Sequence, residues 1–268
     1  MQAAATVAVV GVGLVNPVFS HQDPFIQQFH ARVLERIEKS DNIPNEIKKT
    51  LPSIWNELVE KGIYEITALD SEVRGPFVTF QGIIEQELTE QLNENIKASG
   101  GVIHTPQPAT PLCSRGEISE KLVAPAIEKD PLRLYTVKSR ITILRDYLDK
   151  GGVLYVVYPK EGIKARTAEQ QEIYANELEK YRSKSNLIDC PLNCNSIGND
   201  LIGASYKFTT SENKTYGFSI NICQANDPKD MTVRLWFGEY DNSPVKDRID
   251  QVLSTISQST SESFHRLP

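Results

Sequence analysis

Two stretches of this chain share a pattern in which two glycines lead into an apolar, β-rich run followed by a polar loop. They are KASGGVIH at residues 97–104 and LDKGGVLYVVYP at residues 148–159. A helix-like segment precedes each glycine pair, and glycine commonly ends a helix because it adopts the left-handed conformation at little cost. Units of helix, strand, loop and helix in series favour parallel strands, which need long crossover connections. We therefore expect the two runs to be neighbouring parallel strands of one sheet.

The loops that follow these runs lead into sequences typical of helix starts. Ser114 lies three residues before Glu117, and Thr167 lies three residues before Gln170. In such a capping box the hydroxyl accepts a hydrogen bond from a backbone N–H of the new helix, and the Glu or Gln side chain reaches back to the cap. The pattern predicts helices that begin near residues 114 and 167.

The chain before these units is predicted to be helical over residues 20–62. Asp23 is a helix cap followed by Pro24 at the first helical position, and apolar residues recur at helical spacing up to Gly62. Residues 3–15 are apolar but too short for a membrane span, which needs about 20 residues. This segment could be a buried strand or the apolar part of a signal peptide. We favour the strand, because no Lys or Arg precedes the segment.

Beyond residue 62 the patterns alternate between strand and helix. Ile63–Leu69 and Pro76–Phe80 are predicted strands, whereas Ile83–Ala98 carries apolar residues every four positions, as a helix does. In the last third of the chain we predict three antiparallel strands, at Leu201–Thr209, Thr215–Gln224 and Thr232–Glu239. A closing helix is predicted from Pro244 onward.

Together these patterns predict an α/β fold. We expect a mixed sheet with a parallel core flanked by helices, antiparallel strands toward the C-terminus and a helical N-terminal segment. Residues 1–70 are predicted to hold a strand or signal-like segment plus the helical segment, and residues 71–268 an α/β domain. At 268 residues the chain is long enough to bury a core without a metal or a disulfide.

Composition argues against some classes of function. The formal net charge is −6, which opposes a large phosphate-neutralising surface, so we expect no nucleic-acid partner. We find no dinucleotide fingerprint and no paired metal ligands, so we expect no cofactor, no metal and no membrane span. The expected partner is another protein or an anionic small molecule.

The four cysteines bear on the compartment. Cys190 and Cys194 are close enough in sequence to form a disulfide if the chain is exported, and would be thiols in a reducing cytosol. We favour the cytosol over export, because the N-terminal stretch lacks the basic start of a signal peptide.

The candidate site lies where the two β-rich runs end. Ligands in open parallel sheets bind beyond the carboxyl ends of the strands, and the N-termini of helices favour anions. The predicted ligand-binding residues lie in the two loops and are Ser114, Arg115, Lys160, Lys164, Arg166 and Thr167. The alternative is that they are ordinary helix caps and solvated cations.

A catalytic alternative involves Cys113 and His104. A thiol at a helix start is stabilised as a thiolate by the helix dipole and here by Arg115, which makes it a better nucleophile. His104, at the end of the preceding strand, is the candidate base. If this pair is catalytic, the chain is a cysteine-dependent hydrolase or transferase. A third hypothesis is that the chain is an exported structural or interaction protein.

Two acidic residues also stand close together, at Glu85 and Glu87. Residues two apart on a helix point to different faces, so they do not form a catalytic pair. We expect both carboxylates to lie on a solvated surface.

Overall fold

The structure is a computed structural model that describes residues 23–40, 43, 45–104, 142–159, 181, 187–192, 200–227 and 229–264. Its strands are β1 (Ile63–Leu69), β2 (Ile96–His104), β3 (Val153–Pro159), β4 (Leu187–Leu192), β5 (Asp200–Thr210), β6 (Thr215–Gln224) and β7 (Asp230–Glu239). Its helices are α1 (Pro24–Lys39), α2 (Asn45–Lys61), α3 (Asp70–Gln91), α4 (142–149) and α5 (Pro244–Phe264), with a 3₁₀ turn at Tyr240–Asn242 before α5.

The strands form one seven-stranded sheet in the order β1-β7-β6-β5-β2-β3-β4. β2, β3 and β4 are parallel to one another, and the other neighbouring pairs are antiparallel. The predicted mixed α/β fold is confirmed. The parallel pairing of the two glycine-led runs is also confirmed, with Gly100 opposite Val153 and His104 opposite Val157.

One face of the sheet is covered by α1, α2 and α3, which meet in an aromatic centre. Trp55 of α2 is fully buried, and its ring centroid lies 5.2 Å from that of Phe237 and 5.9 Å from that of Phe80. Phe29 of α1 stacks on Phe237 at 5.8 Å. Aromatic side chains bury large apolar areas, so this centre is a main source of the stability of the fold.

The other face is covered by α5. Val245, Ile249 and Val252 are spaced three to four residues apart and are buried against the sheet. This apolar stripe is the reason the closing segment is helical. None of the described helices is long and apolar enough to span a membrane.

Asp23 caps α1 and also ties it to the β5–β6 hairpin. One carboxylate oxygen accepts the backbone N–H of Phe25 at 2.9 Å, and the other accepts the Tyr216 hydroxyl at 2.6 Å and Lys214 Nζ at 2.7 Å. Burial opposes ionisation of Asp23, but these hydrogen bonds outweigh it and hold the pKa of the carboxyl below its usual value. The predicted cap at Asp23 and Pro24 is confirmed.

The predicted strand at Pro76–Phe80 is wrong, because this segment lies inside α3. The helix buries one face of apolar residues at helical spacing, namely Val73, Phe77, Phe80, Ile84 and Leu88. The aromatic and β-branched residues of the segment favour a strand locally. Packing of the helical face against the sheet outweighs that local preference.

The predicted helix at Ile83–Ala98 ends earlier, at Gln91. Asn93 has a φ of 73°, in the left-handed region that Asn tolerates, and the chain reverses there into β2. Gly100 and Gly101 therefore lie inside a strand, and the prediction that they end a helix is wrong. A Cβ at Gly101 would lie 2.5 Å from the Tyr206 ring, so glycine is needed for β5 to pack this ring over β2.

The second glycine pair ends a helix as predicted. Gly151 has a φ of 92°, its N–H donates to Leu148 O at 3.0 Å, and the Gly152 N–H donates to Tyr147 O at 2.9 Å. These two bonds form a Schellman motif, which satisfies the last carbonyls of α4 and sends the chain directly into β3.

Candidate functional site

The parallel strands β2, β3 and β4 end on the same side of the sheet. We call this row of strand ends the carboxyl rim. β2 ends at His104, which is opposite Val157, and β3 ends two residues later at Pro159. Two residues of strand span roughly 7 Å, so the chain leaves β2 and β3 from nearly the same place. β4 ends beside β3, with Leu192 opposite Pro159. The loops that hold the predicted site residues therefore start side by side.

His104 is buried, with 5% of its surface exposed, on the face covered by α5. His104 lies opposite Gly203 of β5. A Cβ atom added to Gly203 would collide with the side-chain oxygen of Asn221, so Asn221 packs closely over Gly203. Asn221 donates to Ser219 Oγ at 3.2 Å, and Ser219 Oγ lies 2.7 Å from Ser205 Oγ. The candidate base thus belongs to a buried polar row between the sheet and α5. The void that the described residues enclose there is about 180 Å³, below the range of about 300–1,000 Å³ that ligand pockets have.

The other predicted site residues lie outside the described residues. These are Cys113, Ser114, Arg115, Lys160, Lys164, Arg166 and Thr167. The catalytic pair of Cys113 with His104 therefore stays a prediction.

Two of the cysteines are described and both are buried. Cys190 lies on β4, where its Sγ is 3.7 Å from Ile188 O, and Cys194 lies outside the described residues. Cys223 lies on β6, where burial raises the pKa of its thiol. The hypothesis of an exported protein with a Cys190–Cys194 disulfide stays a prediction.

Glu85 is buried, so the prediction of a solvated carboxylate there is wrong. Only 2% of its surface is exposed, and its Oε1 accepts the Tyr206 hydroxyl and the Gln81 side-chain amide, each at 2.8 Å. A buried carboxylate is stable only when donors replace the lost water. Glu85 therefore holds α3 to β5.

Glu87 is also buried, with none of its side chain exposed, which overturns the same prediction for this residue. Its Oε2 accepts Arg36 Nε at 2.6 Å, and its Oε1 accepts the Gln91 amide at 2.7 Å. Arg36 also pairs with Glu90. Burial disfavours the charged guanidinium, but the two carboxylates outweigh this and raise the pKa of Arg36.

The surroundings of α3, and not the spacing of Glu85 and Glu87, explain why neither carboxylate is solvated. Glu85 faces the sheet and Glu87 faces α1, so the two carboxylates do point to different sides of α3. Both sides are covered, since α3 packs between α1 and the sheet. The sequence carries only a weak signal of this burial, because residues 77–92 hold seven apolar side chains among eight Thr, Gln and Glu side chains.

A cleft of about 1010 Å³ lies between α1, α3 and α4. The cations along it are matched by carboxylates, with Arg36 on Glu87 and Glu90 and Lys39 on Glu35. An anion would have to compete with these pairs, so the cleft does not favour one. Across the ranges the structure covers, no cluster of three or more His, Cys, Asp or Glu side chains has the arrangement to hold a metal ion.

At the carboxyl rim β2, β3 and β4 end side by side, and the predicted site segments that follow β2 and β3 lie outside the described residues. Comparison of the chain with protein-family models, with curated proteins and with solved structures finds no match.

Proposed function

We propose that the chain binds a small anionic ligand at the carboxyl rim, between the loops that follow β2 and β3. The observation that supports this is the parallel pairing of β2 with β3, whose ends lie within two residues of each other in register. In open α/β sheets ligands bind beyond the carboxyl ends of such strands. Two basic loops starting from one place suit a ligand with negative charge.

Arg115 and Arg166 are the proposed principal contacts. Arg166 follows the end of β3 by seven residues (166 − 159), and Arg115 follows the end of β2 by eleven (115 − 104). A chain spans at most about 3.5 Å per residue, so the two side chains have reach of roughly 25 and 39 Å and can meet on one ligand. The guanidinium fork suits bidentate contact with carboxylate or phosphate, and Lys160 and Lys164 add positive charge.

The test is thermal unfolding in the presence of inorganic phosphate, pyrophosphate and ATP. A ligand at about 100 times its Kd stabilises a protein by about 2.7 kcal/mol. For a chain of this length we expect the Tm to rise by roughly 5–10 °C with at least one of these anions. Each charged hydrogen bond contributes about 1.5–3 kcal/mol, so Arg115→Ala and Arg166→Ala should each weaken binding tenfold or more.

Arg234→Ala is the matched control. Arg234 lies on β7, away from β2 and β3, and its Nε pairs with Glu65 at 2.6 Å. This variant should keep the full ligand-induced rise in Tm. The proposal fails if none of the three anions raises the Tm, or if the Arg115→Ala/Arg166→Ala double variant binds as the unchanged chain does.

A further inference from the structure

The outer edge of β1 carries exposed apolar side chains. β1 is the first strand in the sheet order, and the only described strand that pairs with it is β7. Ile63 and Leu69, at its two ends, are 46% and 47% exposed, and they are the large apolar side chains that reach solvent within the described ranges. Tyr64, Ile66 and Ala68 alternate with the exposed residues and pack against the core below α2 and α3.

The backbone of β1 has hydrogen-bonding groups that point away from β7. The N–H of Phe237 donates to Gly62 O at 3.1 Å, so Gly62 belongs to the residues that bond to β7. Bonds to one neighbour recur at every second residue of an antiparallel strand, so Tyr64, Ile66 and Ala68 bond to β7 as well. The backbone groups directed to the outer edge belong to the other set, which is Ile63, Glu65, Thr67 and Leu69. Such an edge is a template for another strand.

We propose that β1 pairs with β1 of a second copy of this chain, antiparallel about a two-fold axis at Ile66. In that register Ile63 of one copy lies opposite Leu69 of the other, and Glu65 lies opposite Thr67. Each pair joins two residues whose backbone groups point outward, so the ladder of hydrogen bonds can form. A two-fold interface uses the same surface on both copies, and this strand is complementary to itself.

The side chains select this register over its neighbours. An axis at Ile66 places the two exposed apolar residues against each other twice, once on each side of the axis. An axis at Glu65 would set two carboxylates face to face, and an axis at Thr67 would place Glu65 opposite Leu69. Like charges directly opposite destabilise a sheet, whereas apolar pairs contribute roughly 0.2–1 kcal/mol each.

Charge at the strand ends fits the same arrangement. Lys61 ends α2 just before β1, and Asp70 begins α3 just after it. Continuing the register brings Lys61 of one copy near the beginning of α3 in the other, where Asp70 lies. Opposite charges therefore meet at both ends of the paired strands. The interface is short, so we expect a Kd on the order of micromolar.

Sedimentation velocity over about 1–200 μM protein tests the pairing. We expect the full chain to shift from monomer to dimer across this range. Ile63→Lys/Leu69→Lys places like charges opposite each other twice, and should raise the Kd by about tenfold or more. Ile63→Lys/Leu69→Glu should restore the dimer, because each lysine then faces a glutamate of the other copy.

Both double variants change exposed side chains, and thermal unfolding followed by circular dichroism checks that each still folds. A chain that stays monomeric at about 200 μM overturns the proposal. So does a Lys/Lys variant that dimerises as strongly as the unchanged chain. Failure of the Lys/Glu variant to restore the dimer overturns the proposed register.

Discussion

Replacing Trp55 with alanine should lower the free energy of unfolding by about 3–5 kcal/mol. The indole is fully buried at the centre of the aromatic cluster formed by α1, α2, α3 and the sheet, and its Nε1 donates to His30 O at 3.2 Å. Alanine removes nearly the whole side chain and leaves a cavity lined by Phe29, Phe80 and Phe237. The cost therefore includes the lost transfer of apolar surface and the lost contacts of the surrounding rings.

Chemical denaturation of Trp55→Ala and Trp55→Phe measures this effect. Phenylalanine keeps an aromatic ring in the cluster and loses the hydrogen bond to His30 O, so we expect a loss of only about 1–2 kcal/mol. An alanine variant within about 1 kcal/mol of the unchanged chain would mean that the aromatic cluster does not form as described.

Replacing Glu87 with alanine should lower the free energy of unfolding by about 3 kcal/mol. The carboxylate is completely buried, and its removal leaves Arg36 Nε and the Gln91 side-chain N–H without the oxygens that accept their hydrogen bonds. Removing one partner of a buried pair costs more than the pair contributes, because the remaining charge stays in an apolar setting. Arg36 is 20% exposed and can still reach water and Glu90, so the loss should fall at the lower end of the usual range.

Glu90→Ala is the matched control for this prediction. Glu90 lies on the same helix and pairs with the same arginine, but its side chain is 48% exposed. Exposed ion pairs contribute little, so we expect a loss below about 1 kcal/mol by chemical denaturation. Equal losses for the two variants would contradict the burial of Glu87.

The sequence predicts the elements whose signals are local. Asp23 with Pro24 begins α1, and Gly151 ends α4 in the left-handed conformation. The start of α1 and the end of α4 each depend on one or two residues and their immediate neighbours. Such local signals can be identified from the sequence alone. The parallel pairing of β2 with β3 was predictable for a related reason, since the chain between them is long enough for a crossover.

The errors come from contacts between distant parts of the chain. Pro76–Phe80 is composed like a strand but is helical, because α3 lies against the sheet on one side and α1 on another. The same packing buries Glu85 and Glu87, whose partners Tyr206 and Arg36 are 121 and 51 residues away. Periodicity along one helix does not reveal how many of its faces are covered.

The place proposed for the site depends on the pairing of two strands, and this pairing is what the sequence predicts. The rule that ligands bind beyond the carboxyl ends of parallel strands selects the loops after β2 and β3, and the pairing of these strands is confirmed. The burial of His104 had no signal in the sequence. It follows from α5, which is more than a hundred residues away and covers this part of the sheet.

The parallel pairing of β2 with β3 is the claim on which the carboxyl rim depends, and a disulfide tests it directly. Val102 lies opposite Tyr155, and both side chains lie on the face covered by α5. Neighbouring strands lie about 4.8 Å apart, within the range of roughly 4.4–6.8 Å that a disulfide spans between Cα atoms. Cys190 is buried in the same cluster, so it is replaced by alanine in the test variants.

Peptide mapping by mass spectrometry after mild oxidation measures the cross-link. Val102→Cys/Tyr155→Cys should form an intramolecular disulfide in most molecules. His104→Cys/Val153→Cys should form none, because these residues lie four positions apart in the parallel register, about 13 Å along the strands, and would be opposite each other only if the strands were antiparallel. No disulfide in the first variant, or equal disulfide in both, would contradict the parallel register and with it the carboxyl rim.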